Sequence, residues 1–361
     1  MIIKSLKLQN FRNFGKKSFD FSEGSTLIFG PNAVGKTNIL EAITLLSTGK
    51  SFRAGVEAEM HREGENVTRV TGQTEEPELE VVLVSEAPNP AFGEPRQERQ
   101  RGGKRVFING VAKRVFTFAG TLKTVMFGPW DVGMVTESPS VRRRFLDSVL
   151  GQVDREYRRS LLSYEKGTRQ RNRVLERIRE GIATRSQLLY WDHLVIREGN
   201  YLSSARERFI DFVNSTTFPG EELSIEYDRS AISEGRLEQY KEEEILAATT
   251  LVGPHRDDIN FQFSINTRSD SNFQNKSLAK YGSRGEQRMA VLWLKLAELD
   301  FIEKESGQRP VLLLDDIFSE LDPQHHELIL ETVGKQQTIL TTAEPRKFKK
   351  NFDAKVKIIE L

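Results

Sequence analysis

The chain has 361 residues and no cysteine, and its 53 Lys and Arg residues nearly balance its 52 Asp and Glu residues. This length allows two domains, or one large domain with an insertion. The missing cysteines exclude disulfides, thiolate metal sites and a thiol nucleophile. The first residues lack the pattern of a secretory signal, and no apolar run approaches the roughly 20 residues of a membrane span. We therefore expect a soluble, cytoplasmic protein without membrane contact.

The first predicted elements enclose a glycine-rich motif. IIKSLKLQNF alternates as a strand does, STLIFG is a short apolar strand, and TNILEAITLLSTG has helical spacing. Between the second strand and the helix lies GPNAVGKT, in the pattern of a phosphate-binding loop. Its glycines allow backbone N–H groups to surround phosphate oxygens, Lys36 can reach the β- and γ-phosphates, and the Thr37 hydroxyl can bind Mg²⁺. The candidate nucleotide-binding residues here are Gly30, Pro31, Asn32, Ala33, Val34, Gly35, Lys36, Thr37 and Asn38.

Short strands and then long helices are predicted next. Three segments between residues 66 and 115 alternate as strands, and the Gly of INGVA marks a hairpin. Apolar residues then recur every three or four positions from Leu146 to Tyr164, and again from Leu188 to Phe212. This spacing predicts two long helices joined as an antiparallel hairpin, which forms an arm inserted in the chain.

The arm and its root carry a concentrated positive charge. Residues 142–179 contain 12 Arg or Lys residues against 5 Asp or Glu residues, whereas the whole chain has a net charge of +1. Such a stripe is what contact with the DNA backbone requires, although a solvated helix face is the alternative. Because aromatic residues are not interleaved, we expect backbone contact with little sequence preference. The candidates are Arg143, Arg158, Arg159, Arg169, Arg171 and Arg173.

Two carboxylates end an apolar run in the last third of the chain. VLLLDD, residues 311–316, fits a buried parallel strand whose carboxyl end faces the nucleotide. Asp315 would then hold Mg²⁺, and Asp316 could orient or deprotonate an attacking water. The alternative is a core strand followed by a turn.

A second phosphate-binding end is predicted where a helix begins near residue 285. Ser283 and Glu286 have the Ser-x-x-Glu spacing of a capping box, and such a helix start can also bind phosphate. One nucleotide does not need two such ends from one chain. The two ends are therefore best explained if two copies of the chain face the same nucleotide.

These motifs together resemble one family. GPNAVGKT, SRGEQR, VLLLDD and SELD stand in the order of the Walker A, signature, Walker B and D-loop motifs of ABC-type ATPases of the SMC class. LKLQNFRNF, SFR, RVFING, PSVRRRFLD, RQRNRVL and LVGPHRDD are similar to the RecF family, and the resemblance extends from residue 4 to about residue 342. It implies an α/β fold, an ABC/SMC-like ATPase head of mixed sheets and flanking helices with an inserted α-helical arm. The expected parts are an N-terminal head lobe at 1–130, the arm at 131–220 and a C-terminal head lobe at 221–361.

The resemblance also implies a function. Members of this family are ATP-dependent, DNA-binding recombination mediators in DNA repair, replication-fork maintenance and SOS induction, and they act with RecR and RecO to load RecA. They bind duplex DNA and single-strand/double-strand junctions, and ATP with Mg²⁺ brings two protomers together with weak, DNA-dependent hydrolysis. A P-loop small-molecule kinase and an adaptor that binds ATP without cleaving it are the alternatives.

Particular residues acquire roles from the resemblance. The resemblance makes Asp315 the Walker B carboxylate and, together with Thr37, a metal ligand. It also makes Asp315 and Asp316 the catalytic residues. Thr341 and Thr342 stand where transporters have a histidine, which favours slow hydrolysis. The family usually has Gln where this chain has Glu286, so that Glu286 is either a weaker contact to the partner's nucleotide or only a helix cap. Other expected nucleotide contacts are Arg12, Ser283, Gly285 and the D-loop residue Asp322, and Arg53 is expected near nucleotide or DNA.

Overall fold

The computed structural model describes residues 1–85, 103–219, 222–265, 274–319, 323–343 and 356–361. The chain divides into two compact units, of which one combines Met1–Trp130 with Ile302–Leu361 and the other is Asp131–Phe301. The division into two head lobes and an arm stays a prediction. Within the described ranges, no helix combines the length and the apolar character that crossing a membrane requires.

The secondary structure of the described residues has the following bounds. The strands are β1 (Ile3–Phe11), β2 (Phe14–Asp20), β3 (Ser25–Phe29), β4 (Val67–Thr74), β5 (Glu78–Val84), β6 (Gly103–Ile108), β7 (Val111–Lys113), β8 (Thr124–Phe127), β9 (Leu223–Asp228), β10 (Asp258–Ile265), β11 (Gln274–Ser277), β12 (Val311–Asp315), β13 (Thr338–Thr342) and β14 (Lys357–Glu360). The α-helices are α1 (Lys36–Thr48), α2 (Val115–Phe118), α3 (Gly133–Thr136), α4 (Pro139–Val153), α5 (Arg155–Arg179), α6 (Leu189–Ser215), α7 (Glu234–Gln239), α8 (Lys241–Ala247), α9 (Leu278–Tyr281), α10 (Arg284–Ser306) and α11 (Pro323–Val333). Short 3-10 helices cover Glu57–Met60, Pro129–Val132, Arg185–Leu188, Pro254–Arg256 and Ile317–Ser319.

The first unit contains two sheets that share α1. An antiparallel sheet has the order β2-β1-β4-β5-β6-β7, and a parallel sheet has the order β14-β3-β13-β12-β8. α1 follows β3 and packs against strands of both sheets, with Ile39, Leu40, Ile43 and Leu46 fully buried. Since parallel strands end along one edge, the first turn of α1 lies at the carboxyl edge of the parallel sheet.

The strands predicted between residues 66 and 115 are confirmed as β4, β5, β6 and β7. The predicted hairpin turns at Asn109 and Gly110, whose φ angles are 50° and 72°. Two consecutive left-handed residues give a turn whose twist matches the flanking strands, and Asn-Gly is the pair best suited to it.

The second unit is built mainly on helices. α5 and α6 form the predicted antiparallel hairpin, because Arg171 pairs with Asp192 at 2.7 Å while Tyr201 contacts Asp154 at 2.8 Å. The predicted first helix is wrong in one respect, since the chain is extended at Asp154 and separates α4 from α5. The Asp154 carboxylate accepts a hydrogen bond from the Tyr157 amide at 2.9 Å and caps α5. The apolar spacing continues across this break and therefore concealed it.

Candidate nucleotide-binding site

The glycine-rich loop, residues 30–37, connects β3 to α1 as predicted. Gly35 is buried with a φ of 114°, and a Cβ at this position would lie 2.8 Å from the Asn13 side chain. Only glycine meets both conditions without strain. α1 begins at Lys36, and no side chain caps it. The Asn38 N–H donates to the Gly35 carbonyl oxygen at 3.0 Å, and the N–H groups of Lys36 and Thr37 before it remain to bind an anion.

Lys36 reaches back across this loop. Its ammonium donates hydrogen bonds to the carbonyl oxygens of Gly30 and Pro31, at 2.8 and 3.0 Å. A phosphate oxygen is a charged and therefore stronger acceptor than either carbonyl. The remaining loop positions are more accessible, with Pro31, Asn32 and Ala33 exposed and Val34, Thr37 and Asn38 half-buried.

Asp315, the predicted Walker B carboxylate, contacts the loop directly. Asp315 ends β12 and is 5% exposed, and its Oδ2 accepts a hydrogen bond from the Thr37 hydroxyl at 2.6 Å. Its Oδ1 accepts from the hydroxyl of Thr341, which lies opposite it in the parallel pairing of β12 and β13. A hydroxyl and a carboxylate thus converge beside an uncapped helix start. Hard oxygen donors of this kind suit Mg²⁺, and the N–H groups suit the phosphates that would complete its coordination.

Asp316 follows at the point where the chain leaves the sheet. It is half-buried and has a φ of 49°, and its N–H donates to the carbonyl and hydroxyl oxygens of Thr341, both at 3.2 Å. A left-handed backbone at a residue other than glycine costs on the order of 1 kcal/mol and is common at functional sites. The second carboxylate is therefore held next to the first in a fixed backbone conformation.

Two arginines converge on Glu41, a buried glutamate of α1 that was not predicted from the sequence. The Glu41 side chain is 0% exposed, and it accepts hydrogen bonds from Arg12 at 2.5 and 2.9 Å and from Arg53 at 2.8 and 3.0 Å. The Ser51 hydroxyl donates to it at 2.6 Å. Burial raises the pKa of the Glu41 carboxyl, but these donors outweigh burial and hold the pKa below its ordinary value. Arg12 and Arg53 thus lie beside α1, with Glu41 as their common partner.

The predicted capping box forms at the start of α10. The Ser283 hydroxyl accepts from the Glu286 N–H at 3.2 Å, and the Glu286 carboxylate accepts from the Ser283 N–H at 2.6 Å. Glu286 is therefore a helix cap in this chain, and Gly285 lies in the first turn. A contact of Ser283, Gly285 or Glu286 with nucleotide stays a prediction, and Asp322 lies outside the described residues.

The six arm arginines have different environments. Arg159, Arg169 and Arg173 are exposed. Arg143 and Arg158 are half-buried and donate to the carbonyl oxygens of Asp257 and Gly151, at 2.8 and 2.7 Å. Burial lowers the pKa of both guanidinium groups below their ordinary value. The exposed three are thus the better candidates for a ligand.

Arg171 faces the interior of the second unit. It is 2% exposed and donates to Asp192, Glu244 and Thr250 at 2.7, 2.7 and 2.9 Å. These acceptors leave its guanidinium with no access to a DNA phosphate. Arg171 is therefore removed from the predicted DNA-binding set, because its charge is used within the protein.

GPHRDD contributes to another buried polar network. Asp257 is 0% exposed and accepts from Arg206 at 2.9 Å and from the Ser230 N–H at 2.8 Å. Both ring nitrogens of His255 are hydrogen-bonded, to Tyr164 at 2.7 Å and to the Thr250 carbonyl at 3.0 Å, and burial lowers its pKa. This stretch thus supports the fold of the second unit.

The sequence matches a known protein family over nearly its whole length. The family described as RecF/RecN/SMC N terminal domain matches residues 2–360. DNA replication and repair protein RecF from Lachnoclostridium phytofermentans is 33% identical over 367 residues, which cover 97% of this chain and 95% of the relative. The chain belongs to the RecF family. The RecF of Herpetosiphon aurantiacus is 32% identical over 378 residues, covering 98% of this chain and 96% of that protein.

Solved structures agree with membership of the RecF family. A structure described as the recombination mediator protein RecF-ATPrS in the RecFOR pathway has a TM-score of 0.81 and 29% identity, and the match covers 100% of this chain and 96% of that one. The corresponding RecF-ATP structure has a TM-score of 0.80 and 30% identity, covering 95% and 92%. An Smc head domain derived from Pyrococcus yayanosii shares the fold at a TM-score of 0.52 and 15% identity, covering 99% and 94%. The predicted fold, an SMC-like ATPase head with a helical arm, is confirmed.

Proposed function

We propose that this chain is an ATP-switched DNA-binding protein of DNA repair and replication. The observation that carries the proposal is the junction of Thr37 with Asp315, residues far apart in sequence that meet beside the uncapped start of α1. Its membership of the RecF family, whose relatives are named DNA replication and repair proteins, supports the same assignment.

Each group at this junction has a role in nucleotide binding. The N–H groups at the end of the glycine-rich loop and at the start of α1, together with the Lys36 ammonium, would hold the phosphates, and Thr37 and Asp315 would hold Mg²⁺. When bound, ATP with Mg²⁺ supplies a cleavable γ-phosphate and the charge that links the loop to β12. Asp316 would orient or deprotonate the attacking water. Thr341 fixes Asp315 and has no ionisable group, which fits slow hydrolysis.

A second copy of the chain would complete the site. The start of α10 in the partner, with Ser283 and Gly285, would contact the nucleotide after its capping box opens. Because Glu286 carries a negative charge near this point, its contact with the partner's nucleotide should be weaker than the contact of a neutral glutamine would be. The nucleotide then acts as a switch on pairing.

DNA would meet the exposed arginines of the arm. Arg159, Arg169 and Arg173 are exposed and could contact phosphates, with Arg159 and Arg169 exchanging their ion pairs to Glu156 and Glu165. Arg143 and Arg158 could assist where their carbonyl partners are exchanged. Binding through phosphates alone predicts little sequence preference and a strong dependence on salt. Cytoplasmic location and cooperation with RecR, RecO and RecA, in loading RecA and in SOS induction, are further parts of the proposal that rest on the family.

The experiment is a titration of duplex and of junction DNA with ATP, with ADP and without nucleotide, repeated at increasing salt. We expect the tightest binding with ATP and a progressive loss as salt rises. Equal affinity in the three nucleotide states would contradict the switch. Asp316→Asn is the companion variant, and it should reduce phosphate release while leaving ATP-dependent DNA binding in place.

A further inference from the structure

Asn13 contacts the glycine-rich loop from outside the motif. It lies in the turn between β1 and β2, where its Nδ2 donates to the Val34 carbonyl oxygen at 2.8 Å. Its Oδ1 accepts from Asn38 Nδ2 at 2.7 Å, and Asn38 Oδ1 accepts in turn from Arg53. A relay of hydrogen bonds therefore runs from Arg53 through two amides to the loop.

The direction of this relay is determined at both ends. A guanidinium can only donate hydrogen bonds, and a carbonyl oxygen can only accept them. Each amide between Arg53 and Val34 must therefore turn its oxygen toward the arginine and its nitrogen toward the loop. Consecutive hydrogen bonds polarise one another, so the positive charge of Arg53 strengthens the last bond of the series.

That last bond orients the peptide between Val34 and Gly35. In a trans peptide the C=O and N–H groups point in opposite directions, and the described residues contain no cis peptide. An Asn13 amide on the Val34 oxygen therefore directs the Gly35 N–H to the opposite side. Because glycine tolerates either orientation of its peptide, the loop needs a group that selects one of them.

We propose that Asn13 is a positioning residue that holds the Val34–Gly35 peptide with its N–H presented to the polyphosphate chain of the nucleotide. The inference rests on the proposed ATP binding. Without the Asn13 amide the peptide can turn over, and the Val34 carbonyl oxygen would then face the phosphates and repel them. Polarisation through the relay also makes the Gly35 N–H a stronger donor.

Asn13→Ala tests this role, with Asn10→Ala as the matched control. Asn10 lies in β1 of the same hairpin, but its amide donates to Glu65 at 2.9 Å and to the Val67 carbonyl at 3.4 Å, away from the loop. We expect Asn13→Ala to weaken binding of ATP and ADP about three- to tenfold, as the loss of one hydrogen bond predicts. Asn10→Ala should bind both nucleotides as the parent does, although each of the two variants loses two side-chain hydrogen bonds.

The orientation of the peptide can be observed directly by NMR. Labelling valine carbonyl carbons and glycine nitrogens selects the Val-Gly peptides at 34–35, 132–133, 252–253 and 333–334. In the parent, the Gly35 amide proton signal should move strongly downfield when ADP binds. In Asn13→Ala this movement should be reduced, while the other three signals confirm that the fold is intact.

The outcomes distinguish a failure of the proposed ATP binding from a failure of the proposed role of Asn13. If the parent itself binds no ATP, the proposed function fails. If the parent binds ATP and Asn13→Ala binds it equally well with the same Gly35 shift, only the role of Asn13 is overturned. An equal loss of affinity in Asn13→Ala and Asn10→Ala would also overturn it, because the effect would then belong to the hairpin as a whole.

Discussion

Two clusters of arginine and carboxylate side chains have opposite proportions of the two charges. The first cluster, Arg12, Glu41 and Arg53, lies beside the glycine-rich loop of the first unit, a region called the loop edge below. The second lies around Arg171 in the second unit. At the loop edge, Arg12 and Arg53 share the single carboxylate of Glu41, which leaves one positive charge in excess. In the second unit, Arg171 of α5 is shared by Asp192 of α6 and Glu244 of α8, which leaves one negative charge in excess. The first arrangement favours an additional anion near the phosphate loop. The second holds helices together and offers nothing to a phosphate.

The largest effect is expected from a substitution of Arg171. Arg171→Met keeps most of the side-chain volume but leaves Glu244, itself 1% exposed, without its cation. We expect the free energy of unfolding to fall by about 3–5 kcal/mol. Urea denaturation measures it. A variant as stable as the parent would mean that the buried ion pairs contribute nothing to the second unit.

Lys36→Ala tests the loop edge itself. Removing the ammonium should weaken ATP binding about a hundredfold, because several charge-assisted hydrogen bonds to phosphate are lost. Stability should fall by about 1 kcal/mol, because the carbonyl oxygen of the buried Gly30 loses its donor. An ATP titration measures the affinity, and the mass in solution measures ATP-dependent pairing. If the variant pairs with ATP as the parent does, the assignment of the loop is wrong.

Glu41→Gln tests the excess charge and its dependence on pH. The pKa of Glu41 is lowered in the folded chain, so its contribution to stability is fully present above the ordinary value of 4.5 and is lost as pH falls through the folded pKa. The variant should be less stable than the parent by about 2 kcal/mol at neutral pH, a value reduced because the arginines are partly exposed. The difference should shrink below about pH 4.5. A difference that does not change with pH would show that Glu41 acts by packing alone.

Arg173→Ala should give the smallest effect, on DNA and not on folding. Arg173 is exposed, so the free energy of unfolding should change by less than about 0.5 kcal/mol. DNA affinity should fall a few-fold for all sequences, with a salt dependence smaller by about one phosphate contact. Arg69→Ala, at an exposed arginine of β4, is the control that should leave DNA binding unchanged. Equal behaviour of the two variants would remove the arm from the DNA-binding surface.

The contrast also explains what could be predicted from the sequence. Gly30 to Thr37 is a local pattern, and the end of a buried parallel strand has to lie near it, so the meeting of Thr37 with Asp315 was foreseeable. The sequence drew attention to Thr341 only because transporters have a histidine at this position. Its hydrogen bond to Asp315 could not be predicted, because that bond depends on the register of β13 against β12. A local sequence pattern does not determine how strands that are distant in the chain pair with one another.

The residues that were missed are charged or polar groups whose partners are distant in sequence. Glu41 lies at an apolar position of α1, which was the available signal, and its partners come from FRN and SFR. Charge density in the arm could not distinguish Arg171 from Arg173, because exposure depends on how α8 packs against α5. The apolar spacing also concealed the break between α4 and α5 at Asp154.

The mass in solution with and without ATP and Mg²⁺, at two protein concentrations, tests whether the nucleotide controls pairing. We expect a monomer without nucleotide, and with ATP a dimer whose fraction rises with protein concentration. Lys36→Ala should remain a monomer under all conditions. A mass that is the same with and without ATP at both concentrations would contradict the nucleotide switch.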